Sequence, residues 1–228
     1  MKTLAFELST ARGSLAWLND DVDPAAAAAS AEEALVREWP NDRKDSGPFF
    51  ENLADVRKQF GVPEKIIVGL GPGSYAGVRI AISAAIGLSF AGGTGSVPSQ
   101  NLGRHGGRPS IELVGYPSIC AMESNEREYC VIGDARRQSF FFARIRANEL
   151  VEGPDLFSEI ELRDKIDKLK ENMSIFASEK LPQFTRAVIR YPSALVLARL
   201  ARDSHRNFFM PPLEPIYLRE PHITMPKR

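Results

Sequence analysis

The segment IIVGLGPGSYAGVRIAISAAIGLSFAGG, residues 66–93, decides the fold of this chain. An apolar run is followed by a turn with three further glycines, and then by a small-sided stretch that carries almost no charge. A strand, a glycine-rich turn and a helix in this order are typical of a phosphate-binding loop. The segment therefore raises the question whether its turn holds a phosphate or whether its glycines and alanines serve close packing.

The glycine turn lacks the residues that bind a phosphate in a Walker loop. A Walker loop needs a lysine for the β- and γ-phosphates, and the first lysine after Gly71 and Gly73 is Lys165. The spacing G-x-G-x-x-A over 71–76 meets half of the dinucleotide-binding pattern, but that pattern normally follows the first strand of its fold. The sequence disfavours direct phosphate binding here.

The stretch after the turn predicts a helix over 78–91 with small and apolar residues on every side. Such a helix has no face intended for water. It is either buried within its own domain, or it packs one face on its sheet and the other on a helix of a partner. In the second case Arg79 is a charge at the rim of the contact, and in the first it is an ordinary surface arginine.

Composition excludes several classes of function. The 228 residues include 29 Lys and Arg and 29 Asp and Glu, so no net charge attracts nucleic acid or anionic lipid. Apolar residues make up 43% and charged residues 25%, as in soluble globular proteins. The uncharged stretch 80–103 loses its apolar character after Ala91, too early to span a membrane. With no signal peptide and two cysteines, expected as buried thiols, the chain is predicted to be cytoplasmic.

The first half predicts an alternation of strands and helices. The expected elements begin with a strand pair over 3–9 and 13–19 and an ambiguous helix or strand over 24–38. A helix over 48–60, a buried strand over 64–70, and the glycine turn with its helix follow. The last elements are a strand over 111–116 and a short helix that begins at Pro117. Residues 92–110 are rich in Gly, Ser and Pro and are expected to be a flexible insertion.

The second half repeats the opening pattern. In EYCVIGDARRQSFFFARI, Asp134 stands where Glu7 stands in TLAFELSTARGSLAWLN, each between two strands. Two hairpins with a carboxylate at the turn, each opening half of the chain, predict a duplicated lobe. A helix near 158–171, a strand near 173–178 and a helix opened by Pro192 are expected to follow, then an extended tail.

Catalytic and metal-binding patterns are weak. The histidines His105, His205 and His222 are isolated, and Ser74 lies outside any nucleophile elbow and has no evident base. Glu7 and Asp134 either orient a magnesium ion across a cleft or are structural carboxylates; the second reading is favoured.

Six segments in order resemble one known family. GPGSYAGVRIAISAAIGLSFA resembles the G-P-G-S-F-T-G-L-R-I-G segment of TsaB (YeaZ-like) proteins. The likeness extends to five further segments, namely LAFELSTARGSLAWL, RKDSGPFFENL, VIGDARRQSFFFARI, YPSALVLARLA and PLEPIYLREP. Departures from the family pattern are Glu7 for Asp, Asp45 for His, Ala76 for Thr and Ser139 for Glu.

The resemblance implies an α/β protein with a two-lobed actin/Hsp70/sugar-kinase-like (ASKHA) fold, with duplicated βββαβα-type lobes of which the second is degenerate. The expected lobes are 1–112 and 113–228, with a tail that returns to the first. The implied role is that of a non-catalytic subunit supporting a TsaD-type transferase, which threonylcarbamoylates adenosine 37 of ANN-decoding tRNAs. A TsaE-type ATPase is a further partner, and tRNA is contacted only through the complex.

In this family the helices around the glycine turn pack on the partner as a four-helix bundle, which implies a docking surface on 48–60 and 78–91. The residues carried over to that surface are Phe50, Leu53, Val56, Gly71, Gly73, Ser74, Tyr75, Gly77, Arg79, Ile80, Ser83, Ala84 and Gly87. The chain itself is expected to need no metal or cofactor, with ATP or ADP at the partner interface left open. An active ATPase or phosphotransferase of the same superfamily, and a stand-alone homodimer, are the alternatives.

Overall fold

The computed structural model describes residues 1–19, 34–41, 45–91 and 111–219. These residues form two compact units, Met1–Asn125 with Arg190–Pro215 and Glu126–Ile189 with the chain from Ile216. The boundary lies after Asn125 rather than after residue 112, because the strand at 112–116 completes the first sheet. The expectations for 24–33 and 92–110, and for His105 and His222, fall outside the described residues.

The first unit is built on a five-stranded mixed sheet. Its strands are β1 (Lys2–Glu7), β2 (Arg12–Asn19), β3 (Ala34–Pro40), β4 (Lys65–Gly69) and β5 (Glu112–Tyr116), in the order β3-β2-β1-β4-β5. The strands β1, β4 and β5 are parallel neighbours, and β2 is antiparallel to both β1 and β3. Every residue of β4 is buried, as its unbroken apolar run predicts for a central strand covered on both faces.

Four α-helices lie in the described residues: α1 (Gly47–Phe60), α2 (Tyr75–Ala91), α3 (Glu159–Asp167) and α4 (Ala194–Leu200). The crossovers that contain α1 and α2 move in the same direction across the first sheet. Since parallel crossovers are right-handed, both helices cover the same face. Ring contacts agree for α1, because Phe49 packs edge-on against Phe6 and Phe60 stacks on Trp17, each pair of centroids 5.3 Å apart.

Helix α4 covers the opposite face of the same sheet. The backbone N–H of Ala194 donates to Ser14 Oγ at 2.9 Å, and Ser14 lies opposite Glu7 in the β1–β2 register. Side chains alternate along a strand, so Glu7 and Ser14 point away from the face that carries Phe6. The first unit is therefore a three-layer α/β structure with α1 and α2 on one side and α4 on the other.

The second unit repeats the topology of the first. Its strands are β6 (Glu128–Asp134), β7 (Ser139–Arg146), β8 (Glu149–Ser158), β9 (Ser174–Ala177) and β10 (Ala187–Ile189), in the order β10-β9-β6-β7-β8. Parallel and antiparallel neighbours correspond one to one with the first sheet. Helix α3 occupies the place of α1, but residues 178–186 between β9 and β10 form turns where the first unit has α2. The predicted duplication and the degeneracy of the second lobe are thus confirmed.

Local boundaries follow from caps and turns. Helix α2 begins at Tyr75, three residues before the expected start, because Ser74 Oγ accepts the N–H of Gly77 at 3.3 Å. The ambiguous stretch before residue 40 ends as strand β3 rather than helix. Strand β8 was not expected from the sequence. It is a largely exposed edge strand interrupted by Gly153, whose φ is 76°, so it lacks both alternation and apolar continuity.

Both cysteines are buried free thiols, as expected. Burial raises the pKa of Cys130 to about 11, so this thiol stays protonated. None of the helices within the described ranges combines the length and apolarity needed to cross a membrane.

Candidate partner-binding site

The glycines of the turn allow its backbone to lie directly on the end of β1. A Cβ added at Gly77 would lie 2.0 Å from the carbonyl oxygen of Leu8, and one at Gly73 would lie 2.1 Å from that of Ser9. At Gly69 it would lie 1.9 Å from Glu7 Oε2. No side chain fits at these distances, so the three glycines are explained by packing within the first unit.

The amides of Gly71 and Ser74 in the turn are used by the chain itself. The N–H of Gly71 donates to Ser118 Oγ at 2.9 Å, and the N–H of Ser118 donates back to the carbonyl of Gly71 at 2.8 Å. The N–H of Ser74 donates to the carbonyl of Ser9 at 2.6 Å. A phosphate cradle needs such amides unpaired and directed at the ligand. These amides are instead occupied in tying the turn to β1 and to the segment after β5.

Glu7 is a fully buried carboxyl at the end of β1. Its Oε1 accepts the N–H of Ser9 at 2.7 Å, while Oε2 lies against Gly69 without a hydrogen bond of good geometry. Burial raises the pKa of Glu7, and interactions with Ser118, Ser9 and Arg12 lower it only in part. Such a group favours the protonated form and suits a structural role better than the binding of a cation.

Glu7→Gln is expected to stabilise the chain more as the pH rises. The raised pKa means that the folded state holds the proton more tightly than the unfolded chain, so stability falls between the unfolded pKa and the folded pKa. The neutral amide keeps an acceptor for Ser9 and removes this loss. Thermal unfolding should show a higher midpoint than the parent at about pH 8, with the difference shrinking towards pH 4.5.

Glu128→Gln is the matched control, because the contribution of Glu128 to stability changes with pH in the opposite direction. Hydrogen bonds from Arg146 and Arg144 lower the pKa of Glu128, so its contribution to stability is present at neutral pH and lost on acidification. A Glu7→Gln difference that is independent of pH would contradict the raised pKa.

Helix α2 buries one face and exposes the other. The buried residues are Gly77, Val78, Ala81, Ile82 and Ala85. The exposed or half-buried residues of the opposite side, here named the outer face, are Tyr75, Ala76, Arg79, Ile80, Ser83, Ile86, Gly87 and Phe90. Phe90 is 58% exposed and Tyr75 is 50% exposed, and Arg79 is the only charged residue of the helix. An exposed apolar face of this length is a candidate interaction surface.

Arg79 is held close to the helix surface. Its Nη1 hydrogen-bonds to the hydroxyl of Tyr75, and its guanidinium lies 5.1 Å from the centroid of the same ring. The pair is one helical turn apart, so the charge lies along the start of the outer face rather than across its centre.

Gly87 has no packing reason among the residues that the structure describes. A Cβ added there would meet no atom within 4 Å, in contrast with Gly77 on the same helix. Glycine inside a helix is less stable than alanine by about 0.8–1 kcal/mol, so its presence needs another explanation. Close approach of a second backbone to the outer face supplies one.

The structure separates the sequence-predicted docking residues into two groups. Gly73, Tyr75, Arg79, Ser83, Gly87 and Phe50 are exposed, and Ser74, Ile80 and Ala84 are half-buried. Leu53, Val56, Gly71 and Gly77 are buried in the first unit and are not on its surface, because they form the inward side of α1 and of the glycine turn. The residues predicted from the sequence do not include Ile86 and Phe90. Their spacing of three and seven residues from Ser83 places them on the same face.

Asp134 and His205 are the remaining candidate residues that the structure describes. Asp134 is partly exposed, pairs with Arg136 at 3.1 Å, and belongs to the second unit. His205 is exposed. Among the described residues, no three His, Cys, Asp or Glu side chains are grouped closely enough to hold a metal ion.

Comparison with known proteins identifies the fold. The structure is similar to a Pseudomonas aeruginosa crystal structure described as an uncharacterized protein with similarity to peptidase YEAZ. That match has a TM-score of 0.64 at 19% identity and covers 96% of this chain and 99% of the other. A second match, YeaZ from Pseudomonas aeruginosa, has a TM-score of 0.60 at 18% identity and covers 89% of this chain and 91% of the other.

Sequence comparison adds nothing further, since no protein-family model and no curated protein matches the chain. The chain is thus an α/β protein with two units of the actin/Hsp70/sugar-kinase type. Its fold is similar to that of YeaZ from Pseudomonas aeruginosa and of the first matched structure.

Proposed function

We propose that the chain is a non-catalytic subunit of the cytoplasmic complex that forms threonylcarbamoyladenosine in tRNA. In this role it binds a TsaD-type transferase through the outer face of α2, and a TsaE-type ATPase joins the assembly. The observation that carries the proposal is the outer face itself, an exposed apolar helix side that includes Gly87. The YeaZ-like fold and the six sequence segments that resemble TsaB proteins support the choice of partner.

The composition of the outer face suits a second α/β unit rather than a peptide or nucleic acid. Its small residues Ala76, Ser83 and Gly87 leave room for a helix backbone, and its large apolar residues Ile86 and Phe90 supply the buried area. Tyr75 and Arg79 provide hydrogen-bonding groups at one end, as the rim of an interface does. Phe50, which is 49% exposed on α1, adds a further aromatic group on the same side of the sheet.

The enzyme alternative has less support. An ATPase of this fold class would use a carboxylate at the end of β1 and unpaired amides in the turn. Glu7 is instead buried with a raised pKa, and the amides of Gly71 and Ser74 are paired within the chain. We therefore assign no catalytic residue to this chain, and we place any ATP or ADP at the partner interface rather than on the glycine turn.

The test is to mix the purified chain with the TsaD-type transferase of the same organism and to measure the mass of the product by light scattering. Adding ATP and the TsaE-type ATPase provides a second arm. A stable complex at micromolar concentration supports the proposal, and the absence of association in both arms contradicts it. ATP turnover by the chain alone is expected to stay at background.

Self-association is the second candidate, because an apolar face can also pair with its own copy. Light scattering on the chain alone, at increasing dilution, measures this pairing. A dimer that gives way when the transferase is added agrees with the proposal. A dimer that persists in the presence of excess transferase favours the stand-alone module.

Gly87→Ala is expected to stabilise the isolated chain and to weaken the complex. The methyl group meets none of the described residues and removes the backbone entropy of glycine, for a gain of about 0.5–1 kcal/mol. Differential scanning calorimetry should show a midpoint higher by roughly 1–4 °C. Titration calorimetry with the transferase should show a weaker affinity. Unchanged affinity would remove Gly87 from the interface.

A further inference from the structure

The turn between β6 and β7 holds three consecutive non-glycine residues in the left-handed region. Arg136, Arg137 and Gln138 have φ values of 66°, 52° and 58°. Hydrogen bonds close the turn, since the N–H of Ala135 donates to the carbonyl of Ser139 at 2.9 Å and the N–H of Ser139 donates to that of Arg136 at 3.1 Å. Residues with a Cβ adopt this conformation at a steric cost, and they do so as single residues far more often than as a run.

The residues that such a turn prefers are absent from it. Glycine, asparagine and aspartate tolerate the left-handed region and dominate hairpin turns. The next hairpin of the same sheet follows this rule in part, with Asn148 at φ 61° after Ala147 at φ 50°. The β6–β7 turn instead carries Arg-Arg-Gln. Local rules are broken in this way mainly where a side chain is needed for function.

The turn concentrates positive charge on an exposed tip. Arg136 is 61% exposed in its side chain and pairs with Asp134, while the exposed Arg137 has no ion-pair partner within the described ranges. Arg219 donates from Nη2 to the carbonyl of Arg136 at 3.4 Å, and its buried Nε has no hydrogen-bond partner. The carboxylate of Glu179 accepts the N–H of Asp134 at 3.1 Å. Two arginines therefore lie in the turn and a third contacts its backbone, while Asp134 pairs with one of them.

We propose that this tip, defined by Arg136, Arg137 and Arg219, binds the phosphate groups of an RNA backbone. A guanidinium presents a planar fork of donors that matches phosphate oxygens. The ion pair with Asp134 and the left-handed turn fix the start of the Arg136 side chain. Asp134 therefore positions Arg136 and does not itself bind the RNA. Small anions are held in concave sites that enclose them, whereas an exposed tip suits an open chain of regularly spaced charges.

The proposal goes beyond the proposed function, in which tRNA is reached only through the complex. It concerns the second unit alone and does not need the outer face of α2. Each can fail without the other, because the outer face is tested by association with a protein and the tip by binding of RNA to the isolated chain.

The first test measures the anisotropy of a fluorescein-labelled RNA stem-loop of roughly 20 nucleotides at low salt, where backbone binding is strongest. Arg137→Ala is expected to weaken binding and to lower the slope of log K against log salt by about 0.7–0.9, the loss of one phosphate contact. Arg163→Ala is the matched control, since Arg163 is an exposed arginine of the same unit that pairs with Glu159. Equal losses in the two variants would overturn the proposal.

The second test separates function from structure. Arg137→Gly relieves the left-handed conformation, so its thermal midpoint should rise while its affinity for RNA falls. Asn148→Gly makes the same kind of change at the other turn and should leave RNA binding unchanged. An Arg137→Gly variant that is more stable and still binds RNA like the parent would show that the arginine has no binding role.

Competition distinguishes the source of the phosphate. Inorganic phosphate and ATP at millimolar concentration are expected to displace the RNA poorly, because each offers few of the spaced charges. If phosphate or ATP displaced the RNA at micromolar concentration, and if Arg137→Ala abolished this displacement, the RNA assignment would be overturned in favour of a small phosphate ligand. Displacement by polyglutamate as effective as by unlabelled RNA would overturn the preference for phosphate.

Discussion

Ser83→Arg is expected to abolish the association with the TsaD-type transferase while the isolated chain stays folded. Ser83 is exposed near the middle of the outer face, one turn after Arg79, so an arginine there adds a like charge to a surface with no carboxylate. Burying that charge unpaired costs about 3–5 kcal/mol, which corresponds to a loss of affinity of roughly 100-fold to several thousand-fold. Light scattering of the mixture measures the association, and circular dichroism of the variant alone measures whether it is folded.

Ser83→Ala is the control for this substitution, since it keeps a small side chain and should bind the transferase like the parent. Ala84 is the less informative position for a charge. It is half-buried, so an arginine there would also disturb the packing of α2 on its own unit. If Ser83→Arg assembled with the affinity of the parent, the outer face would not be the interface.

Gly77→Ala is expected to cause a large loss of stability, because the added methyl group collides with backbone. The added carbon would lie 2.0 Å from the carbonyl oxygen and 3.1 Å from the carbonyl carbon of Leu8, which are backbone atoms and not the end of a flexible side chain. Overpacking of this kind costs about 3 kcal/mol or more, which lowers the thermal midpoint by roughly 6–12 °C in a chain of this size. Calorimetry on the purified variant measures the change.

The comparison with Gly87→Ala makes the Gly77 result specific. Both glycines lie in α2 and both changes raise its helix propensity, yet only one of them collides with the chain. Opposite signs are expected. If both variants were stabilised, the packing of the glycine turn on β1 would be looser than the structure has it.

Much of the architecture follows from local sequence signals. The unbroken apolar run of β4 requires cover on both sides, and Pro48 within the first turn of α1 sets the start of that helix. The paired hairpins with Glu7 and Asp134 predict two related sheets, and all five strands of each sheet correspond. These features depend on residues that are neighbours in the sequence or on a repeated pattern, and both can be recognised in a single sequence.

The candidate site depends on contacts that the sequence does not contain. Gly77 and Gly87 stand in the same kind of helical surroundings, so no pattern tells which one lies on β1 and which one faces outwards. Leu53 and Val56 share their spacing with a docking stripe, but that stripe is the inward side of α1. The left-handed run at Arg136–Gln138 contains none of the residues that normally signal it.

The turns at 178–186, where the first unit has α2, limit how this chain can assemble. The described part of the chain carries a single outer face, so under the proposed function it offers one surface for contacts of this kind. A surface used once per molecule closes an assembly as soon as it is occupied and cannot extend it into a filament. Pairing with a second copy and pairing with the transferase would then exclude each other, and the ratio of free subunit concentrations would decide which stoichiometry prevails.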